Sequence, residues 1–218
     1  MLRLLGKIIA AIAERLLKDH WLLLCEDLKG IYSKYQREQE YVPPLLLQQL
    51  LISGEDHRFF RHPGFDIIAI CRAIWKRFIW GVREGASTIE QQTVRVITGR
   101  YERTLRRKIS EIFLATLVTR VISKNEIPAI YLKIAYFGWH MNGFKEACKR
   151  QQYKYHSLSL NDAATLVARL KYPEPQIVPS CRIGQILRRR DHLIGLYRKH
   201  KQKNIYKPLM WEVANEIV

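Results

Sequence analysis

The chain has 218 residues, 48% of them hydrophobic, and a formal net charge of +17 from 37 Lys and Arg against 20 Asp and Glu. That apolar share fills one good-sized core and excludes an intrinsically disordered chain. The charge implies a polyanionic partner, which nucleic acid, an anionic lipid surface or a diphosphate-bearing substrate would each satisfy.

In chain order, Met1 to Leu17 is apolar for about a dozen residues, is broken by Lys7 and ends at Glu14-Arg15, whereas a spanning helix needs roughly 20. Residues 1–40 therefore read as an amphipathic, membrane-associating segment, with Arg3, Lys7, Arg15 and Lys18 near head groups. An ordinary surface helix of a soluble domain fits the same pattern. Trp21 to Cys25 is a second apolar patch, suited to lipid or to a core. After Val42-Pro43-Pro44, Leu45 to Ser53 predicts a short helix ending at Gly54, which leaves Glu55 at a helix end.

Phe65 to Val82 is apolar but carries Arg72, Lys76 and Arg77. It suits a helix whose flank touches lipid while its cations meet phosphates, with a core helix as the alternative. Thr104 to Ile122 is the cleanest amphipathic helix, with Ile109, Ile112, Phe113, Leu117 and Val121 on one face and Glu111 clustered with Arg107 and Lys108 on its surface. Ser123 with Glu126, or Asn125 alone, would cap a following helix that Gly138 closes. Leu160 to Leu170 reads as a core helix, and the basic tail 181–218, with Arg188-Arg189-Arg190, as a solvated helical face. Strict alternation is scarce, so the fold class is mainly α.

The chemistry concentrates in Glu55-Asp56-His57-Arg58-Phe59-Phe60-Arg61-His62, followed by Gly85 to Gln92. Carboxylates among cations can activate a hydroxyl beside an anionic substrate. His57 and His62 read as structural hydrogen-bonders, since no third ligand stands at metal-site spacing, and Phe59, Phe60, Tyr136 and Phe137 as core. Cys25, Cys71, Cys148 and Cys181 have no C-x-x-C spacing and read as small buried apolar residues.

Four segments in order, EDHRFFRHPGFD (55–66), GASTIEQQ (85–92), RTLRRKISE (103–111) and SKNEIPAIYLKIAYFG (123–138), resemble the motifs of the peptidoglycan glycosyltransferases, over residues 42–180. That family comprises monofunctional transglycosylases and the transglycosylase domains of bifunctional penicillin-binding proteins. The resemblance implies a catalytic domain at 41–180 with a lysozyme-like, two-lobed, mainly α fold, held at the outer face of the cytoplasmic membrane. It implies an inverting transfer of a growing glycan from undecaprenyl diphosphate to the 4-hydroxyl of lipid II. Partners are then lipid II, the lipid-linked chain, an anionic membrane surface and other cell-wall synthesis proteins, with no nucleic acid.

By the same resemblance Glu55 is the general base and Glu111 the supporting carboxylate of the donor site. Arg72, Arg95, Arg103, Arg107 and Lys108 are diphosphate clamps, and Ser87, Thr88, Gln91 and Gln92 hold sugar hydroxyls and amides. No dedicated motif binds a metal, although a divalent cation, Mg²⁺ or Mn²⁺, would help to neutralise the leaving diphosphate. The sequence departs from the family pattern at Ala86 (usually Gly), Glu90 (Thr), Arg95 (Lys), Val96 (Asn) and Lys133 (Asn). These departures leave open a different polyprenyl-diphosphate-linked glycan, or a non-catalytic paralogue that binds cell-wall synthases. Glycan hydrolysis by paired carboxylates is a further reading, which the cation cluster disfavours. Nucleic-acid binding through the basic tail lacks any recognised motif.

Overall fold

A computed structural model describes residues 2–38, 41–82 and 84–209, so the end of the basic tail at 210–218 lies outside it, as does the side chain of Arg3. The described chain is mainly α, with one small antiparallel hairpin, and divides into two compact units. No helix among the described residues is long and apolar enough to cross a membrane.

The first unit holds residues 1–30 and 58–124. Its helices are α1 (Leu2–Leu16), the first part of α2 (Lys18–Arg37), α4 (Ile67–Trp80), α5 (Ile89–Thr98) and α6 (Leu105–Ala115). α1 packs on α6 through its small face, where Gly6, Ala10 and Ala13 are buried, and leaves Leu4, Ile8, Ile12 and Leu16 exposed at a spacing of four. In α2, Trp21 and Leu24 are buried and Leu22 and Leu23 exposed, so the second apolar patch serves both a core and a free surface.

α4 begins at Asp66, whose carboxylate accepts from the amides of Ile68 and Ala69 at 3.0 and 3.2 Å and from Arg58 Nε at 2.8 Å. None of the 14 residues of α4 is buried, which rules out the core-helix alternative. The single helix expected over Thr104–Ile122 stops at Ala115. There the amides of Thr116 and Leu117 turn to carbonyls three residues back, the Thr116 hydroxyl donates to Phe113 O at 2.7 Å, and a 3₁₀ turn follows at Val118–Arg120. Gly64, at φ +114°, passes so close that a Cβ would stand 2.5 Å from Ala115 O, so only glycine fits.

The second unit holds residues 31–57 and 125 onward. It contains α3 (Leu45–Glu55), α7 (Ile127–Ile134), β1 (Tyr136–Gly138), β2 (Met141–Asn142), α8 (Phe144–Arg150), α9 (Leu160–Lys171) and α10 (Ser180–Gln202). α3, α9 and α10 pack mutually around Leu47, Leu50, Leu51, Ile52, Leu166 and Leu193, all fully buried. Neither Ser123 nor Asn125 caps α7. Glu126 takes the cap position, and its carboxylate accepts from Tyr32 Oη at 3.0 Å and Gln36 Nε2 at 3.0 Å, while Pro128 sits in the first turn.

Gly138 does not close α7, because the chain leaves the helix at Ala135 and pairs Tyr136–Gly138 with Met141–Asn142. Phe59 and Phe137 are core as expected, but Phe60 is only half-buried and Tyr136 is exposed. Of the cysteines only Cys148 is fully buried, and burial pushes its thiol up to about 12. Cys71 and Cys181 lie on the surface. The basic tail is more than a solvated face, since α10 buries Ile186, Leu193, Ile194 and His200.

Candidate active site

In the first unit, α5 and α6 pack side by side and bring most of the sequence-predicted clamps to one carboxylate. Arg107, Lys108 and Glu111 share a helix face because they lie four and three residues apart. Glu111 is 3% exposed, so the surface ion cluster read from sequence is in fact a buried one. Arg95 reaches it from α5 as a fork, Nε to Oε2 at 3.0 Å and Nη2 to Oε1 at 2.8 Å, a geometry that lysine at this position could not supply. Lys108 Nζ donates to Glu111 Oε1 at 2.8 Å and to Ser87 Oγ at 3.0 Å, and also to Gln91 Oε1, while Arg107 Nη1 donates to Glu111 Oε2.

Three cations on one carboxylate leave a surplus of two positive charges. Burial alone would raise the Glu111 carboxyl, but hydrogen bonds from Arg95 and Lys108 and their charges outweigh it and hold the group below the usual carboxylate range. Burial pushes the Lys108 ammonium below the ordinary lysine value, Glu111 partly restores it, and Arg95 and Arg107 oppose that restoration. Beside the cluster lies a cavity of about 260 Å³ lined by Leu24, Asp27 and His20 of α2 with Arg95, Arg107 and Glu111.

Of the other predicted residues, Arg72, Thr88, Gln92 and Arg103 fall elsewhere in the same unit. Arg72 pairs with Glu84 at 3.2 Å, alongside Lys76 at 2.9 Å, and does not join the Glu111 cluster. Arg103 is exposed and Gln92 half-buried. Thr88 is 1% exposed, and its hydroxyl donates to Gly64 O at 2.7 Å while accepting from Gln91 N as the cap of α5. It ties the second motif to the first and is no free sugar-binding group. Gln91 is fully buried, and its Nε2 finds no hydrogen-bond partner among the described residues.

Sequence reading missed the partner of Glu90. That carboxylate is wholly buried and takes an ion pair from Lys124, whose ammonium also donates to His62 O at 3.1 Å and lies 4.1 Å from the Phe59 ring centroid. An acid in place of the usual Thr is thereby compensated by a lysine 34 positions on, a distance no local pattern reveals.

In the second unit, Glu55 is the last residue of α3 and half-buried. Its Oε1 accepts from Arg189 Nη2 at 3.0 Å, and the same nitrogen donates to Gly54 O at 2.8 Å. Arg189 was absent from the predicted site, and the only sequence signal for it was the arginine run at 188–190.

The described chain is thus mainly helical, with a buried carboxylate bound by three cations in the first unit and, in the second, another carboxylate at a helix end. Residues 28–196 match the transglycosylase family model, and the chain belongs to that family, whose fold is lysozyme-like. It is 32% identical over 158 residues to penicillin-binding protein 1A of Rickettsia typhi, covering 70% of this chain and 20% of that protein. To penicillin-binding protein 1A of Neisseria gonorrhoeae it is 34% identical over 148 residues, 66% of this chain and 18% of the relative. The chain thus spans no more than a fifth of the length of these relatives.

Proposed function

We propose that this chain is an inverting glycosyltransferase that polymerises lipid II, the undecaprenyl-diphosphate-linked disaccharide, into peptidoglycan glycan strands. The observation that carries the proposal is the buried Glu111 cluster, in which three cations exceed their one carboxylate by two charges in a member of the transglycosylase family. Preorganised positive charge of this kind stabilises a diphosphate as it departs, and a hydrolase of neutral glycans has no use for it.

In this reading Glu55 accepts the proton of the acceptor 4-hydroxyl. The freed oxygen forms the new bond to the anomeric carbon from the face opposite the leaving group, which inverts that centre. The bond from anomeric carbon to diphosphate breaks, its electron pair leaves on the diphosphate, and no general acid is needed. Arg95, Arg107 and Lys108 take up the departing charge, Glu111 holds them at fixed spacing, Ser87 offers a hydroxyl at the cluster's edge, and buried Gln91 orients Lys108. Arg72 and Arg103 are assigned to attracting the anion.

The residues around Glu111 do not fit a divalent-metal site, because both carboxylate oxygens already accept from cations. Buried Asp56, His62 and Glu90 do bring three potential ligand atoms within 4.8 Å of one another, a grouping the sequence reading of His62 missed, but Lys124 already pairs with Glu90. Mg²⁺ or Mn²⁺ is assigned to the substrate's own diphosphate, and no step is routed through it. A membrane location is supported by the apolar stripe of α1 and by Trp75, Phe78, Ile79 and Trp80 of α4, all exposed beside Lys76 and Arg77. Such a surface suits anionic head groups and the acyl boundary, and the outer face of the cytoplasmic membrane is the corresponding location. Association with other cell-wall synthesis proteins belongs to the same reading.

The test is incubation with radiolabelled lipid II in detergent with Mg²⁺, scoring both polymer and undecaprenyl diphosphate. Polymer with stoichiometric diphosphate release supports the proposal. Activity only with another polyprenyl-diphosphate glycan would move the substrate, a reading that Arg95, Glu90 and Lys133 keep in view as departures from the family pattern. Release of reducing ends from purified sacculi without any transfer would replace it with hydrolysis.

A further inference from the structure

We infer that Arg189 is a positioning residue for Glu55, fixing the carboxylate against the end of α3. This rests on the reading of Glu55 as the base. α10 places Ile186, Arg189, Leu193 and His200 at intervals of three, four and seven, a single helix face, and Ile186, Leu193 and His200 are buried. Leu193 comes so near α3 that a Cβ on Gly54 would stand 2.3 Å from its Cδ2. Glycine at 54 leaves room for the Leu193 side chain against α3, and one turn earlier on the same face of α10 Arg189 reaches over the helix end.

There the guanidinium does two things with one nitrogen. Nη2 donates to Gly54 O at 2.8 Å, a carbonyl in the last turn of α3, at the negative end of the helix dipole, and to Glu55 Oε1 at 3.0 Å. The carboxylate direction is thereby referenced to the backbone of α3 and no longer depends on its own three rotatable bonds. The arginine side chain is 12% exposed, so the contact is poorly screened by solvent.

Further along, His200 Nδ1 lies 3.1 Å from Ser53 Oγ, and Tyr206 Oη bonds the same hydroxyl, which pins α10 along α3 one residue before the glycine. The neighbouring arginines do not share this role, since Arg188 is exposed and Arg190 pairs with Asp191 at 2.8 Å.

The test compares Arg189→Met, Arg189→Lys, Arg188→Met and Glu55→Gln for lipid II polymerisation, with kcat and KM separated, and for urea midpoints. For Arg189→Met the expectation is a kcat loss of about 10- to 100-fold with KM within about twofold, the size of effect that a misplaced reacting group produces. Arg189→Lys should recover part of it, and Arg188→Met should match wild type. In unfolding, the midpoint losses of Arg189→Met and Glu55→Gln should be less than additive in the double variant, because each removes the same contact.

Wild-type kcat in Arg189→Met beside an inactive Glu55→Gln overturns the inference alone, as do additive midpoint losses or a fall in kcat/KM that resides in KM. Wild-type rates in Glu55→Gln overturn the base assignment beneath it.

Discussion

Replacing Glu111 with Gln tests whether the cation cluster is held together by that carboxylate. The side chain keeps its shape, but the negative charge paired with Arg95, Arg107 and Lys108 disappears, and the amide NH₂ presents a donor at one of two oxygens that each accepted two hydrogen bonds. The three cationic side chains are between 13% and 30% exposed, so water relieves their mutual repulsion only in part. Breaking a buried pair of this kind costs about 3 to 5 kcal/mol. Taking the lower figure for partial exposure, a chain of this size should lose about 6 to 12 °C in Tm.

The sign of the pH dependence follows from Lys108, whose pKa burial already depresses and Glu111 supports. In the variant the unfolded state binds the Lys108 proton more readily than the folded one, so the deficit should be largest near neutrality and shrink as pH rises toward the ordinary lysine value. Circular-dichroism melts of both proteins across that range measure it. Ten millimolar inorganic diphosphate should raise the variant's Tm more than the wild type's, because the anion replaces the lost charge. A variant Tm within about 1 °C of wild type, or no response to diphosphate, would mean that Glu111 does not hold the three cations together.

His200 supplies a second test. Burial first, then the charges of His57, Lys199 and Lys203, push its imidazole down to about 4. Below the unfolded value near 6.5 the unfolded chain takes up a proton that the folded chain refuses, so stability should fall by up to about 3 kcal/mol between pH 6.5 and 4. Urea midpoints of wild type should slope across that window and those of His200→Gln should be flatter; parallel slopes would remove His200 from the account. For the membrane surface, Trp75→Ser with Phe78→Ser should reduce co-sedimentation with phosphatidylglycerol-rich vesicles several-fold while leaving the melting curve unchanged, since both side chains are exposed. Unchanged sedimentation would count against α4 as the docking face.

Much of the first unit's site was legible because its residues lie close in sequence on regular helices: i, i+3 and i, i+4 spacing already aligned Arg107, Lys108 and Glu111. Periodicity does not report burial depth, so Glu111 read as a surface charge until Arg95 arrived from α5. Long-range partners left almost no local trace. Lys124 stands 34 positions from Glu90 and Arg189 stands 134 from Glu55, and each looked like one more solvated cation in a basic chain.

The break after Ala115 and the strand at Tyr136 turn on tertiary geometry, the first on the tight passage of Gly64 past Ala115 O and the second on pairing with Met141–Asn142. The exposure of α4 was underdetermined because an apolar helix with three cations suits a core as well as a lipid surface.

In the proposed reaction Glu55 is the base for transfer from a lipid diphosphate. The most direct test of that role is the initial rate of labelled lipid II polymerisation by wild type and Glu55→Gln at equal folded concentration, checked by circular dichroism. Wild type should make glycan strands, and the variant should be slower by about 10²- to 10⁴-fold. Equal rates in the two proteins would contradict it.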